Sequence, residues 1–79
     1  MHRTQILQLL EAAERHVAQG EGFIKDQRER IVELTRDGHD PSSATDLLKT
    51  FLATQALHIA GRDRIRADLA AADEADRAN

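Results

Sequence analysis

The chain is 79 residues long with a formal net charge of −3 and no cysteine, and charged residues make up 32% of it against 41% hydrophobic. That length allows one small domain whose internal core is marginal, and without thiols neither a disulfide nor a thiolate-held metal reinforces it. The mixture is too apolar for intrinsic disorder and suits amphipathic or coiled-coil helices, while the near absence of aromatics removes the stacking platforms that grip unpaired bases.

The charge is spread evenly. Residues 1–37 carry six basic and seven acidic side chains, and residues 38–79 carry five and seven, so neither half is an electrostatic magnet. The apolar stretch Ile6–Leu10 is too short for a membrane span or a secretory core, and Gln8 interrupts it. Without an export signal or a cysteine, a cytoplasmic protein with no membrane partner is the expectation.

The first half reads as one helix from about Thr4 to Asp37. Leu10, Val17, Ile24 and Ile31 recur every seven residues, and Ile6, Ala13, Gly20, Gln27 and Leu34 fill the interleaved series, which together make a heptad seam. Gly20 and Gly22 each cost a helix interior about 1 kcal/mol relative to alanine, and a loop there would give three helices. The seven-residue step from Val17 to Ile24 crosses both glycines unshifted, which favours one continuous helix. Three acid-to-base pairs at i,i+4, Glu11–Arg15, Glu21–Lys25 and Asp26–Arg30, are expected to support it on solvated faces.

The strongest punctuation is Asp37-Gly38-His39-Asp40-Pro41-Ser42-Ser43. Gly38 suits the left-handed residue that closes a helix, Asp40 suits a cap for the next, and Pro41 fits a first helical turn where its missing donor is not needed. A second helix is expected from about Pro41 to Ala72, with Ala44, Phe51, His58 and Ile65 in one seam series and Leu48, Gln55, Arg62 and Leu69 in the other. Residues 73–79 form an acidic tail expected to fray.

These elements predict an all-α fold, a single antiparallel two-helix hairpin. Folding back at residues 38–40 with numbers summing to about 78 places Leu34 against Ala44, Gln27 against Phe51 and Gly20 against His58. It also offers Arg62 an ion pair with Glu14 or Glu21. Apolar residues left outside the seam, Leu7, Leu9, Phe23 and Val32 on the first helix and Leu47, Leu52, Leu57 and Ile59 on the second, predict that two hairpins pair into a four-helix bundle. Leu7, Leu9, Phe23, Leu47, Leu52 and Ile59 are the candidate surface for a second copy or for another helical protein.

The candidate sites are few. Gln27, Gln55, His58 and Arg62 are polar positions in the seam; they would fix register and partner number, or alternatively line a small cavity for an anionic ligand or for chemistry. Arg62, Arg64 and Arg66 form a basic run that would suit a small nucleic-acid regulator, although Asp63 and Asp68 partly neutralise it and nucleic acid is not the expected partner. His16 and His58 can approach across the hairpin, yet two ligands are too few for a metal, and His2 and His39 lie elsewhere. No catalytic residue, cofactor site or metal site is expected: the chain has no cysteine nucleophile, no glycine-rich phosphate loop and no metal triad. The reading is a non-enzymatic interaction or regulatory module acting as a homodimer.

The segments Glu14-Arg15-His16-Val17, Gln27-Arg28-Glu29-Arg30-Ile31-Val32, Asp37-Gly38-His39-Asp40, Gln55-Ala56-Leu57-His58 and Arg62-Asp63-Arg64 resemble a group of short helical-hairpin proteins common in alphaproteobacteria. That group has no assigned activity. The resemblance implies a free-standing bacterial cytosolic protein and carries over no catalytic residue.

Overall fold

The computed structural model describes residues 2–78, and the whole of that chain is two helices and one turn: α1 over Arg3–Arg36 and α2 over Ser42–Ala78. They run antiparallel as a hairpin. The Cα trace measures 65 × 14 × 14 Å with a radius of gyration of 18.1 Å, against about 12 Å for a compact domain of this length. The protein is a rod, more than four times as long as it is wide.

α1 is continuous through both glycines. At its start the His2 N–H donates to Gln5 Oε1 at 3.3 Å, satisfying one of the free donors of the first turn. At its end Gly38 takes φ 77, the sole positive φ among the described residues. The N–H groups of Gly38 and His39 then return to the carbonyls of Thr35 and Leu34, at 3.2 and 2.8 Å. That closure satisfies the last carbonyls, and only glycine adopts the required conformation without strain.

Asp40 starts α2 as expected. Its Oδ1 accepts the Ser42 N–H at 3.0 Å and the Ser42 hydroxyl at 2.6 Å, and the Pro41 carbonyl accepts the Thr45 N–H at 2.8 Å. The side-chain hydrogen bond from Ser42, followed by its backbone N–H, lowers the Asp40 carboxyl below its ordinary value of 3.8. A depressed carboxyl contributes stability above the unfolded value and loses it as pH falls through the folded one. We expect the midpoint of thermal unfolding to drop as pH is lowered below about 4, more steeply in the parent than in Asp40→Asn, measured by circular dichroism.

α2 departs from the sequence expectation at its far end. It stays helical through Ala78, so the tail beyond Ala72 is not frayed; its last residue, Asn79, lies outside the described residues. Alanine-rich composition favours the helix, and Asp73 accepts a hydrogen bond from Arg3 at 2.9 Å, tying the segment to the start of α1. Farther along, Glu74 and Arg77 approach to 3.7 Å at i,i+3. The three expected i,i+4 pairs of α1 are not closed to ion-pair distance. Both members of each pair are exposed, where the Coulomb gain in water does not outweigh rotamer entropy.

The seam itself is as the periodicity predicts. Every residue of the four heptad series is buried or half-buried, including Gly20, Gln27, Gln55, His58 and Arg62. Among the apolar side chains of the described residues, however, only Ile6 and Val17 are buried, and neither completely. A single seam between two helices leaves each side chain covered on one flank only.

The register differs from the expected one by about one helical turn. His58 faces His16, with ring centroids 5.5 Å apart, and Phe51 faces Phe23 at 5.9 Å. Gly20 therefore sits against Gln55 and not His58. The partner of Gln27 is the Ala44 carbonyl, at 2.8 Å, in place of Phe51. The expected register counted loop and helix residues alike. Residues 39–41 belong to neither helix, and a residue before proline is disfavoured from helical backbone, so this stretch advances more than the roughly 1.5 Å per residue of a helix and the chain re-enters the seam farther along.

Candidate functional site

Two long grooves flank the seam, one on each side of the hairpin. The first contains the His16–His58 and Phe23–Phe51 ring pairs, with Gly20 and Gln55 between them, and encloses about 270 Å³. No Asp, Glu, Lys or Arg lines it; Gln19, Thr50 and Thr54 complete the walls. Seven-residue steps carry the same side from Phe23 back to Leu9, and from Thr54 back to Leu47. Leu9, Phe23 and Leu47 are 47%, 58% and 44% exposed.

The opposite groove is wider, about 490 Å³, and its character is different. Ile24 and Ile59 are flanked by Glu21, Lys25, Arg28 and Glu29. Seven-residue steps bring Leu52 to this side from Ile59 and Leu7 from Glu21. Leu52 and Ile59 are exposed, and Leu7 is half-buried. The six candidate surface residues thus divide into two sets of three on opposite sides. Outside both sets, Val32 and Leu57 are the most exposed large apolar residues, at 63% and 74%.

The four polar seam residues do not gather into one cavity. Gln27 bonds near the turn, at Ala44. Gln55 is 6% exposed and donates from Nε2 to the Val17 carbonyl at 2.9 Å. His58 is half-buried against His16. Arg62 turns to its neighbour Asp63, donating from Nε and Nη2 at 3.1 and 3.0 Å, and so does not bridge to Glu14 or Glu21. A one-residue neighbour on the same helix holds the guanidinium at lower entropic cost than a partner across the seam. Arg66 takes the cross-helix role instead, donating to Glu14 at 3.3 Å.

Among the described residues two buried side-chain polar atoms have no hydrogen-bond partner, Gln55 Oε1 and His58 Nδ1. Both belong to residues of the uncharged groove. Of the basic run, Arg62 is bonded to Asp63, and Arg66 lies 4.0 Å from the same carboxylate. Among the described residues no group of three or more His, Cys, Asp or Glu side chains is placed to hold a metal ion, and no helix is long and apolar enough to cross a membrane.

Sequence reading identified the groove's aromatic and polar anchors but not its outer walls, Gln19, Thr50 and Thr54, because exposed polar residues on a helix carry no periodic signal. The fold and surface together define the class, an antiparallel α-helical hairpin with an uncharged groove on one side and a charged one on the other. Comparison with protein-family models, curated proteins and solved structures returned no match.

Proposed function

We propose that this protein is a non-enzymatic interaction module that works as a homodimer, two hairpins packed as a four-helix bundle. The observation that carries the reading is surface area. The chain exposes 5921 Å², whereas a compact protein of 8.8 kDa exposes about 4,800 Å². The excess, roughly 1,100 Å², is of the size that one partner contributes to a stable interface, about 800 Å².

The energetics point the same way. Ile6 and Val17 are the whole buried apolar core among the described residues, and two such side chains contribute at most about 1.5–3 kcal/mol each. Ordering one residue's backbone costs about 1–2 kcal/mol, so a rod with this core needs more covered surface to be well populated. A second copy supplies it by covering exposed leucines and Phe23. A different helical protein offering the same aliphatic ridge would substitute for one hairpin, which is how such a module would regulate or recruit. The cytoplasm, where no helix need cross a bilayer, is the compartment this reading assumes.

Sedimentation equilibrium at micromolar concentration checks it. The expected mass is twice 8.8 kDa, with helix content falling on dilution as the dimer separates. A fully helical chain of single mass across that range rules the bundle out.

A further inference from the structure

We propose that the uncharged groove is the dimer contact itself: Phe23 of a second copy fills the depression beside Gly20, and the two α1 helices cross antiparallel about a two-fold axis level with residues 21 and 22. The inference rests on the dimer reading above and adds the face, the occupant and the symmetry.

Gly20 has no side chain, and the Gln55 amide occupies the space where a Cβ would stand. Beside this filled space the groove lies between the His16–His58 and Phe23–Phe51 ring pairs, with Gly20 and Gln55 in its floor. With no Asp, Glu, Lys or Arg on its walls, an apolar ring enters it without desolvating any of these groups. The other groove would require Glu21, Lys25, Arg28 and Glu29 to be desolvated or matched.

Phe23 is the exposed aromatic at the rim of the groove, 58% open to solvent. It stands three residues, just under one helical turn, from Gly20 on the same helix. A two-fold contact is self-complementary: if Phe23 meets the partner's Gly20, then Gly20 meets the partner's Phe23. The axis that makes both contacts lies midway between Gly20 and Phe23 along the helix, level with residues 21 and 22 but on the groove side, and relates two α1 helices running in opposite directions. The inserted ring then lies against the existing aromatic pairs, an arrangement favoured by ring quadrupoles. Knob and hole are thus built into one turn of one helix.

The chain has no native cysteine, so single thiols carry spin labels cleanly on the full chain. Gly22 has open space around it and Thr4 is exposed. Labels at Gly22→Cys are expected within roughly 30 Å of each other across the dimer, since packed helix axes lie about 8–10 Å apart. Labels at Thr4→Cys are expected roughly 50 Å apart, from 1.5 Å of rise per residue on either side of the axis. Short distances at both positions, or the shorter one at Thr4, overturn the antiparallel α1 contact.

Phe23→Ala is expected to weaken self-association by about thirtyfold, as loss of a central aromatic anchor does. Ile59→Ala is expected to change it by less than about threefold, being outside the contact. The reverse order places the contact on the charged side and overturns the assignment. A chain that shows no distance between labels because it remains monomeric overturns the dimer reading itself, whereas a dimer with the wrong distances overturns only this face.

Discussion

Gly20→Ala lowers stability although it replaces a helical glycine with the best helix former. The propensity gain is about 1 kcal/mol, but the new methyl group falls on the Gln55 amide. That side chain is 6% exposed and anchored through Nε2 to the Val17 carbonyl at 2.9 Å, so it cannot swing into solvent without giving up the bond and opening the seam. Overpacking costs about 1–3 kcal/mol, and the lost hydrogen bond about 1 kcal/mol more. The net expectation is destabilisation of about 1–3 kcal/mol. Chemical denaturation at fixed protein concentration measures it.

Two companion variants separate this from a general effect of helix propensity. Gly22 has open space where a Cβ would stand, so Gly22→Ala is expected to gain up to about 1 kcal/mol. In the double variant Gly20→Ala/Gln55→Ala the methyl group has room, and most of the loss caused by Gly20→Ala should disappear. The coupling energy from the four-variant cycle should exceed about 1 kcal/mol. Additive effects would show that Gly20 and Gln55 do not touch.

The second large effect is expected at Ile6. It is 4% exposed, the best covered apolar side chain of the two that form the core. Truncation to alanine typically costs about 2–5 kcal/mol, a large share of what such a thin seam provides. Ile6 lies near the open end of the hairpin, where Arg3 and Asp73 join the two helices. Ile6→Ala should therefore release the end of α2 first. Amide exchange over residues 69–78 is expected to speed up before exchange near Val17 and Gln55 changes. Uniform acceleration along both helices would mean that the hairpin opens as one unit, with the last turns of α2 contributing no separate layer.

Most of the fold was legible in the sequence because a helix converts spacing into direction locally. A seven-residue recurrence on both sides of Gly38 assigns each residue to a face without reference to any other element, and that is enough for two helices, one turn and the full seam. The continuity of α1 through Gly20 and Gly22 was readable for the same reason, since a loop would have broken the phase. The glycine at the turn was equally local: its left-handed conformation closes the helix by bonds to Thr35 and Leu34, a few residues back.

What pairs with what is another matter. Periodicity repeats every turn, so sliding one helix past the other by about a turn leaves every residue on its face and changes every partner. The axial advance of the backbone from Gly38 to Pro41 selects one such register, and no heptad count contains it. Only the tertiary structure therefore set His16 against His58, put Gln55 in place of His58 against Gly20, and gave Arg66 the Glu14 contact expected of Arg62. The persistence of α2 to Ala78 was decided in the same way, because the Asp73–Arg3 contact depends on where the two chain ends meet. Sequence by itself determined the helices and the faces they bury; the packed hairpin determined the register, and with it the placement of Gln55 against Gly20 in the groove between the two ring pairs.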